Sequence, residues 1–185
     1  ANGSATNNSG KTITVEDSKA GSLSIGMAAV SNGTNKAEIT NKGTISAKGD
    51  AIGIYVDSTN GASGATNTGT VTAKNDSTIK AIGAYAKGAN ATFKNTGTIS
   101  SENIALALEN TESGKITAGK IDLTADNSVA VYSKGSTIDF EVSATEADRS
   151  GTVALYADGA TKINNKVTTL KGKGGNVGLY LTKDF

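Results

Sequence analysis

The chain has 185 residues, a net charge of +1 with acidic and basic residues interspersed, and no histidine, cysteine, proline or tryptophan. That inventory excludes the usual zinc sites, thiol nucleophiles and imidazole bases, and it lacks the clustered basic footprint of a nucleic-acid or anionic-membrane binder. Gly, Thr, Asn, Ser and Ala dominate, yet the apolar residues are β-branched and regularly spaced, which a disordered chain has no reason to maintain.

Residues 1–21 read as the least regular part, an irregular leading coil, although Asn8-Ser9-Gly10-Lys11-Thr12-Ile13-Thr14-Val15 alternates apolar with polar as a strand does. Ala1-Asn2-Gly3-Ser4 has neither the basic start nor the apolar run of a secretory leader. No stretch approaches the roughly 18 apolar residues of a spanning helix, so the segment is not expected to lie in a membrane itself.

From Ile25 onward one pattern returns: Ile or Val, then Gly or Ala, an apolar residue, then Tyr or Ala. It starts at Ile25, Ile52, Ile82, Ile104, Val129, Val153 and Val177, and all five tyrosines (Tyr55, Tyr85, Tyr132, Tyr156, Tyr180) occupy its fourth position. A period of roughly 22–30 residues is that of a solenoid, in which each repeat stacks on its neighbours.

A second element, Asn41-Lys42-Gly43-Thr44-Ile45, returns at Asn67 to Val71 and at Asn95 to Ile99. Asn suits a corner, and Gly two residues later is expected to supply a positive φ; Thr and Ile then open a strand. Stacked coils would bring the Asn side chains together in an amide ladder. Ile39, Ala65 and Phe93, two residues before each Asn, mark a third short strand leading into the corner.

The expectation is therefore an all-β parallel β-helix of about seven coils with three short strands each, spanning residues 1–185 as a single segment. After Ile99 the corner motif decays, and the second strand is assigned to Lys115-Ile116 and Ile121 to Leu123, then Ile138 to Val142, then Ile163 and Val167 to Leu170. Two charged excursions, Lys74 to Lys80 within Thr72 to Ala81, and Thr145 to Gly151 within Ser143 to Thr152, are the expected protrusions. The chain stops at Phe185, just after a full Tyr strand with no polar cap, which suggests a segment of a longer array.

Strict alternation puts Ile52, Ile54 and Val56 inside and Gly53 and Tyr55 outside, and likewise Ala105 and Ala107 outside. An outward Tyr column beside a column of Gly or Ala (Gly53, Gly83, Ala105, Ala130, Ala154, Gly178) would leave a shallow slot next to the rings. Tyr55, Tyr85, Tyr132, Tyr156 and Tyr180 are thus the candidate binding surface, for a sugar or a partner strand. Cross-strand pairing of Tyr explains the column without any partner.

Other chemistry has weaker signals. Asp50, Asp57, Glu102, Asp126, Asp139, Glu141 and Asp158 fall at different places in their repeats, so no paired-carboxylate enzyme site is indicated. Gly49-Asp50 and Gly174-Gly175-Asn176 lack the nonapeptide spacing of calcium-binding coils, and no cofactor is expected. Outward Thr rows suit an ice-binding face, but the varying coil length argues against a flat one.

These residues resemble the passenger regions of type V autotransporters, particularly the very large adhesins of fusobacteria and their relatives. Asn41 to Val56 and Asn95 to Leu108 carry the likeness, which covers most of residues 25–181. The resemblance implies a right-handed parallel β-helix and secretion across an outer membrane by a C-terminal barrel that this chain does not contain. It also implies display at the bacterial cell surface and adhesion to host or other bacterial cells through a surface protein or glycan. On this reading the chain is a non-catalytic stalk segment. The alternatives are a segment that itself carries a receptor or carbohydrate site on its Tyr face or loops, and a carbohydrate-active β-helix enzyme.

Overall fold

The computed structural model describes residues 2–31, 33–146, 149–164, 168–172 and 175–182, and every regular element among them is a β-strand. The chain winds through three strands per coil. The first coil comprises β1 (Gly3–Asn7), β2 (Thr12–Asp17) and β3 (Ser24–Val30); the second β4 (Ala37–Asn41), β5 (Thr44–Gly49) and β6 (Ala51–Asp57). The third holds β7 (Ser63–Asn67), β8 (Thr70–Lys74) and β9 (Ile82–Lys87), and the fourth β10 (Ala91–Asn95), β11 (Thr98–Ser101) and β12 (Ile104–Glu109). Then follow β13 (Ile116–Thr117), β14 (Lys120–Leu123) and β15 (Val129–Lys134), then β16 (Thr137–Ile138), β17 (Val142–Glu146) and β18 (Val153–Asp158), and last β19 (Lys162–Ile163), β20 (Thr168–Gly172) and β21 (Val177–Thr182).

Each strand pairs in parallel with its counterparts one coil away. The first sheet runs β1-β4-β7-β10-β13, the second β2-β5-β8-β11-β14-β17-β20 and the third β3-β6-β9-β12-β15-β18-β21, while β16 and β19 form a separate pair. The register is set by the repeats, so like residues form columns: Ile45 pairs with Val71, Val71 with Ile99, and Ile99 with Ile121. These four are fully buried and face Ile54, Leu106, Val131 and Leu155 of the third sheet and Ile39, Phe93 and Ile116 of the first. At roughly 1.5–3 kcal/mol for each buried aliphatic, the columns supply the stability that no single coil has.

Between the first and second sheets the Asn side chains form a buried ladder. Asn7 Nδ2 donates to Asn41 Oδ1 at 2.8 Å, Asn41 to Asn67 at 2.7 Å and Asn67 to Asn95 at 2.7 Å. Asn95 ends it by donating to the Ala118 carbonyl. The ladder begins at Asn7, so residues 1–21 are not an irregular lead: β1 pairs with β4 and β2 with β5 in full register.

The corner glycines work differently from expectation. Gly43, Gly69 and Gly97 are absent from the left-handed region. A Cβ on Gly69 would lie 2.0 Å from the Gly43 carbonyl oxygen, and one on Gly97 2.0 Å from that of Gly69. The corner demands Gly because successive coils approach too closely for a side chain, not because of φ.

Some strand assignments shift. Ile116 pairs with Phe93 in the first sheet, and Ile138 and Ile163 pair with each other in the equivalent approach strands of their coils; all three sit too early in the coil for the second sheet. The excursion after β8 is reduced to a tight turn in which Asp76 and Ile79 exchange backbone hydrogen bonds at 2.8–2.9 Å. Strand β17 takes up the start of the second excursion; Ala147 and Asp148 there, Val167, Gly174, and residues 183–185 up to Phe185, lie outside the described residues.

Candidate binding face on the third sheet

Strands β9, β15 and β18 of the third sheet share one burial rhythm: half-buried, buried, buried, half-buried, buried, exposed or half-buried; β6 differs in its buried Ile52 and β12 in its buried Ala107. Positions two and three both face inward, so the strand bends there, and the bridge pattern skips position two in every pairing. Strict alternation fails at this bend. Ala105, Ala130 and Ala154 are fully buried in the core cluster, and a Cβ on Gly53 would lie 2.6 Å from Val71 Cγ1. From Gly53 to Ala154 the Gly/Ala column is interior, small because it packs against the second sheet, and no slot runs beside the tyrosines there; Gly178, in the last strand, is exposed. Ile52 is buried as expected, at 3% exposure, whereas its counterparts Ile82, Ile104, Val129 and Val153 are half-buried and lie outside the core cluster.

The outer face therefore carries three columns: half-buried Ile or Val at position one from Ile82 to Val153, Tyr at position four, and a charged residue at position six. The rings of Tyr55 and Tyr85 meet edge to face with centroids 5.6 Å apart, whereas Tyr132 and Tyr156 stack at 5.6 Å and Tyr156 and Tyr180 at 5.0 Å. Ala107 stands between Tyr85 and Tyr132 and divides the column into a pair and a triplet. All five predicted tyrosines thus share one face.

The sixth position holds Asp57, Lys87, Glu109, Lys134 and Asp158, alternating in sign from coil to coil. Lys87 Nζ lies 3.3 Å from Asp57 and Lys134 Nζ 3.9 Å from Glu109. The tyrosine hydroxyls donate into this ladder: Tyr55 to Asp57 at 2.9 Å, Tyr132 to Asp158 at 3.0 Å, and Tyr85 to Glu109. Burial and these carboxylates push the phenols up, Tyr132 to about 12 and Tyr55 and Tyr85 in the same direction. Burial alone would raise Asp57, but the Thr59 hydroxyl and amide, Tyr55 and Lys87 together hold it down at about 2. The rings of Tyr55, Tyr85 and Tyr132 are therefore tied at both ends, by a neighbouring ring and by a carboxylate.

The alternating ladder was not anticipated, and Asp57 and Asp158 are not scattered: they share this position with Glu109. The signal was available in the sixth residue of each repeat, but only stacking the repeats reveals the alternation. Adjacent acids in the column are separated by a lysine, which is a pairing arrangement and not a carboxylate dyad. Other acids fasten loops of adjoining coils: Asp50 accepts the Gly21 amide, Glu102 the Asn75 amide at 2.8 Å and Asp126 the Ser150 amide at 3.1 Å.

The other faces are hydroxylic. On the second sheet Thr12, Thr44, Thr70 and Thr98 form a straight column that Lys120 interrupts, so the variation in coil length is confined to the loops. On the first, a shallow open groove of about 470 Å³ runs past Thr6, Thr40, Thr66 and Lys94. Among the described residues no group of three or more His, Cys, Asp or Glu is placed to hold a metal ion, and no helix is long and apolar enough to cross a membrane. No family model, curated protein or solved structure matches the chain.

Proposed function

We propose that this chain is a non-catalytic stalk segment of an extracellular adhesin of the autotransporter kind, supporting adhesion to host or other bacterial cells by holding binding regions away from the surface. The observation that carries this reading is the continuity of the columns. Backbone pairing and the aliphatic core repeat the same contact from coil to coil along one axis, and the amide ladder from Asn7 to Asn95 and the Tyr–carboxylate contacts run along the same axis. A rod of this type transmits length: seven coils at about 4.8 Å give roughly 34 Å. The resemblance of the Asn-x-Gly-Thr-Ile and Gly-Ile-Tyr elements to autotransporter passengers supports the cell-surface setting.

A spacer tolerates loss of a whole repeat, whereas a site built from several coils does not. Asn67 and Asn95 hold equivalent corners 28 residues apart, so excision of residues 67–94 joins Thr66 to Asn95 in register. Displayed on cells beneath a lectin domain of known specificity, the shortened chain is expected to keep its β-sheet circular dichroism and leave lectin-mediated adhesion intact. Loss of adhesion with retained fold would show that the segment contributes more than length.

A further inference from the structure

The outer face of the third sheet is self-complementary, and we propose that it pairs two copies of this chain side by side with their solenoid axes opposed. A two-fold axis parallel to the strands lays each column against itself in reversed coil order. An axis passing through a strand would set like charge against like at the sixth position. An axis between strands sets every lysine opposite an acid, because the ladder alternates.

The axis midway between β12 and β15 fits best. It places Glu109 opposite Lys134 of the second copy and Lys87 opposite its Asp158, with the reciprocal pairs generated by symmetry. The same axis sets Ala107, where the Tyr column is broken, opposite Tyr132 of the second copy. Moving the axis to lie between β9 and β12 would instead press Asp158 onto Val30. The half-buried Ile82 and Ile104 face Val153 and Val129 of the second copy, giving an apolar seam beside the Tyr seam and a charged rim.

The overlapping coils cover about 29 Å by about 20 Å in each copy, burying roughly 1,100 Å² in total, which suffices for a reversible dimer. Among the described residues, neither of the other two faces combines apolar, aromatic and alternating charged columns. The pairing is independent of the stalk reading, since a dimer of either a spacer or a receptor-binding segment would form through the same columns.

Sedimentation equilibrium of the unmodified 185-residue chain tests the proposal. A concentration-dependent dimer that weakens with added salt is expected, since exposed pairs are screened; a monomer throughout, or a salt-independent dimer, overturns it. Lys134→Glu and Glu109→Lys should each weaken the dimer at least about tenfold, because each creates two like-charge contacts across the axis. The double charge swap restores both intermolecular pairs while setting like charges side by side within each copy. Recovery of the dimer in the double variant supports the proposed axis, and a double variant weaker than either single shows that the ladder acts only within one molecule. Association that survives both reversals but is abolished by Leu179→Lys, on the exposed end of the solenoid, would mean end-to-end stacking and would also overturn it.

Discussion

Gly53→Ala tests the inward bend of the third sheet because the two possible orientations give opposite signs. With Gly53 facing outward, alanine removes backbone freedom from the unfolded chain and stabilises by about 0.4–1 kcal/mol. Facing inward, the added Cβ sits 2.6 Å from both the Gly83 carbonyl oxygen and Val71 Cγ1, well inside contact distance. One obstacle is backbone of the next coil and the other a fully buried valine, so relief requires the coil to shift. Overpacking of this kind costs about 1–3 kcal/mol. The coils that carry Ala105, Ala130 and Ala154 accommodate the methyl fully buried, so Ala105→Gly should also destabilise, by about 1 kcal/mol from lost packing and gained chain entropy. Urea unfolding followed by circular dichroism and tyrosine fluorescence measures both, with coincident transitions as the check on two-state behaviour. A Gly53→Ala variant as stable as the parent, or more so, would refute the assignment of this column to the interior.

Removing a rung from the amide ladder should cost more in its middle than at its end. Asn67→Ala leaves buried groups of Asn41 and Asn95 without their 2.7 Å partners and is expected to lose about 2–5 kcal/mol, against about 1 kcal/mol for Asn7→Ala; equal losses in urea unfolding would argue against a cooperative ladder. Ile54→Asp places a carboxylate in the core and should lose several kcal/mol, whereas Tyr55→Thr should lose about 1 kcal/mol or less, and circular dichroism melting curves in the reverse order would contradict the facing. The raised phenols give a pH window: unfolded tyrosines ionise near 10, and Tyr132 near 12 in the fold. Their contribution is fully present below about pH 10 and is lost as pH rises toward 12, so stability should fall across that interval. Native and urea-unfolded chains whose phenolate absorbance rises at the same pH would remove this linkage.

The solenoid was legible because its signals are columnar. One residue type at one position of every repeat, such as the tyrosines or Asn41, Asn67 and Asn95, survives stacking unchanged. Orientation at the bend was not legible, because period-two counting presumes an unbroken pleat and Gly53 and Ile54 both turn inward. Corner glycines were placed correctly but explained wrongly: the sequence shows that Gly is needed at Gly69, while the reason is a carbonyl 2.0 Å away in another coil. The charge ladder escaped notice for a related reason. Lys87, Glu109 and Lys134 look like ordinary surface residues along the chain, and their alternation exists only across coils. Ile116 and Ile138 were assigned to the wrong sheet because the decayed corners before them no longer mark where one strand ends and the next begins.

Saturation binding of the purified 185-residue chain to epithelial cells, bacterial cells and a glycan array tests the supporting role most directly. A stalk segment is expected to give no saturable binding to any of these surfaces, and the same null result when Tyr132, Tyr156 and Tyr180 are replaced by Thr with the fold retained. Saturable binding by the parent chain that disappears in the folded triple variant would contradict the account and make the Tyr face a receptor site.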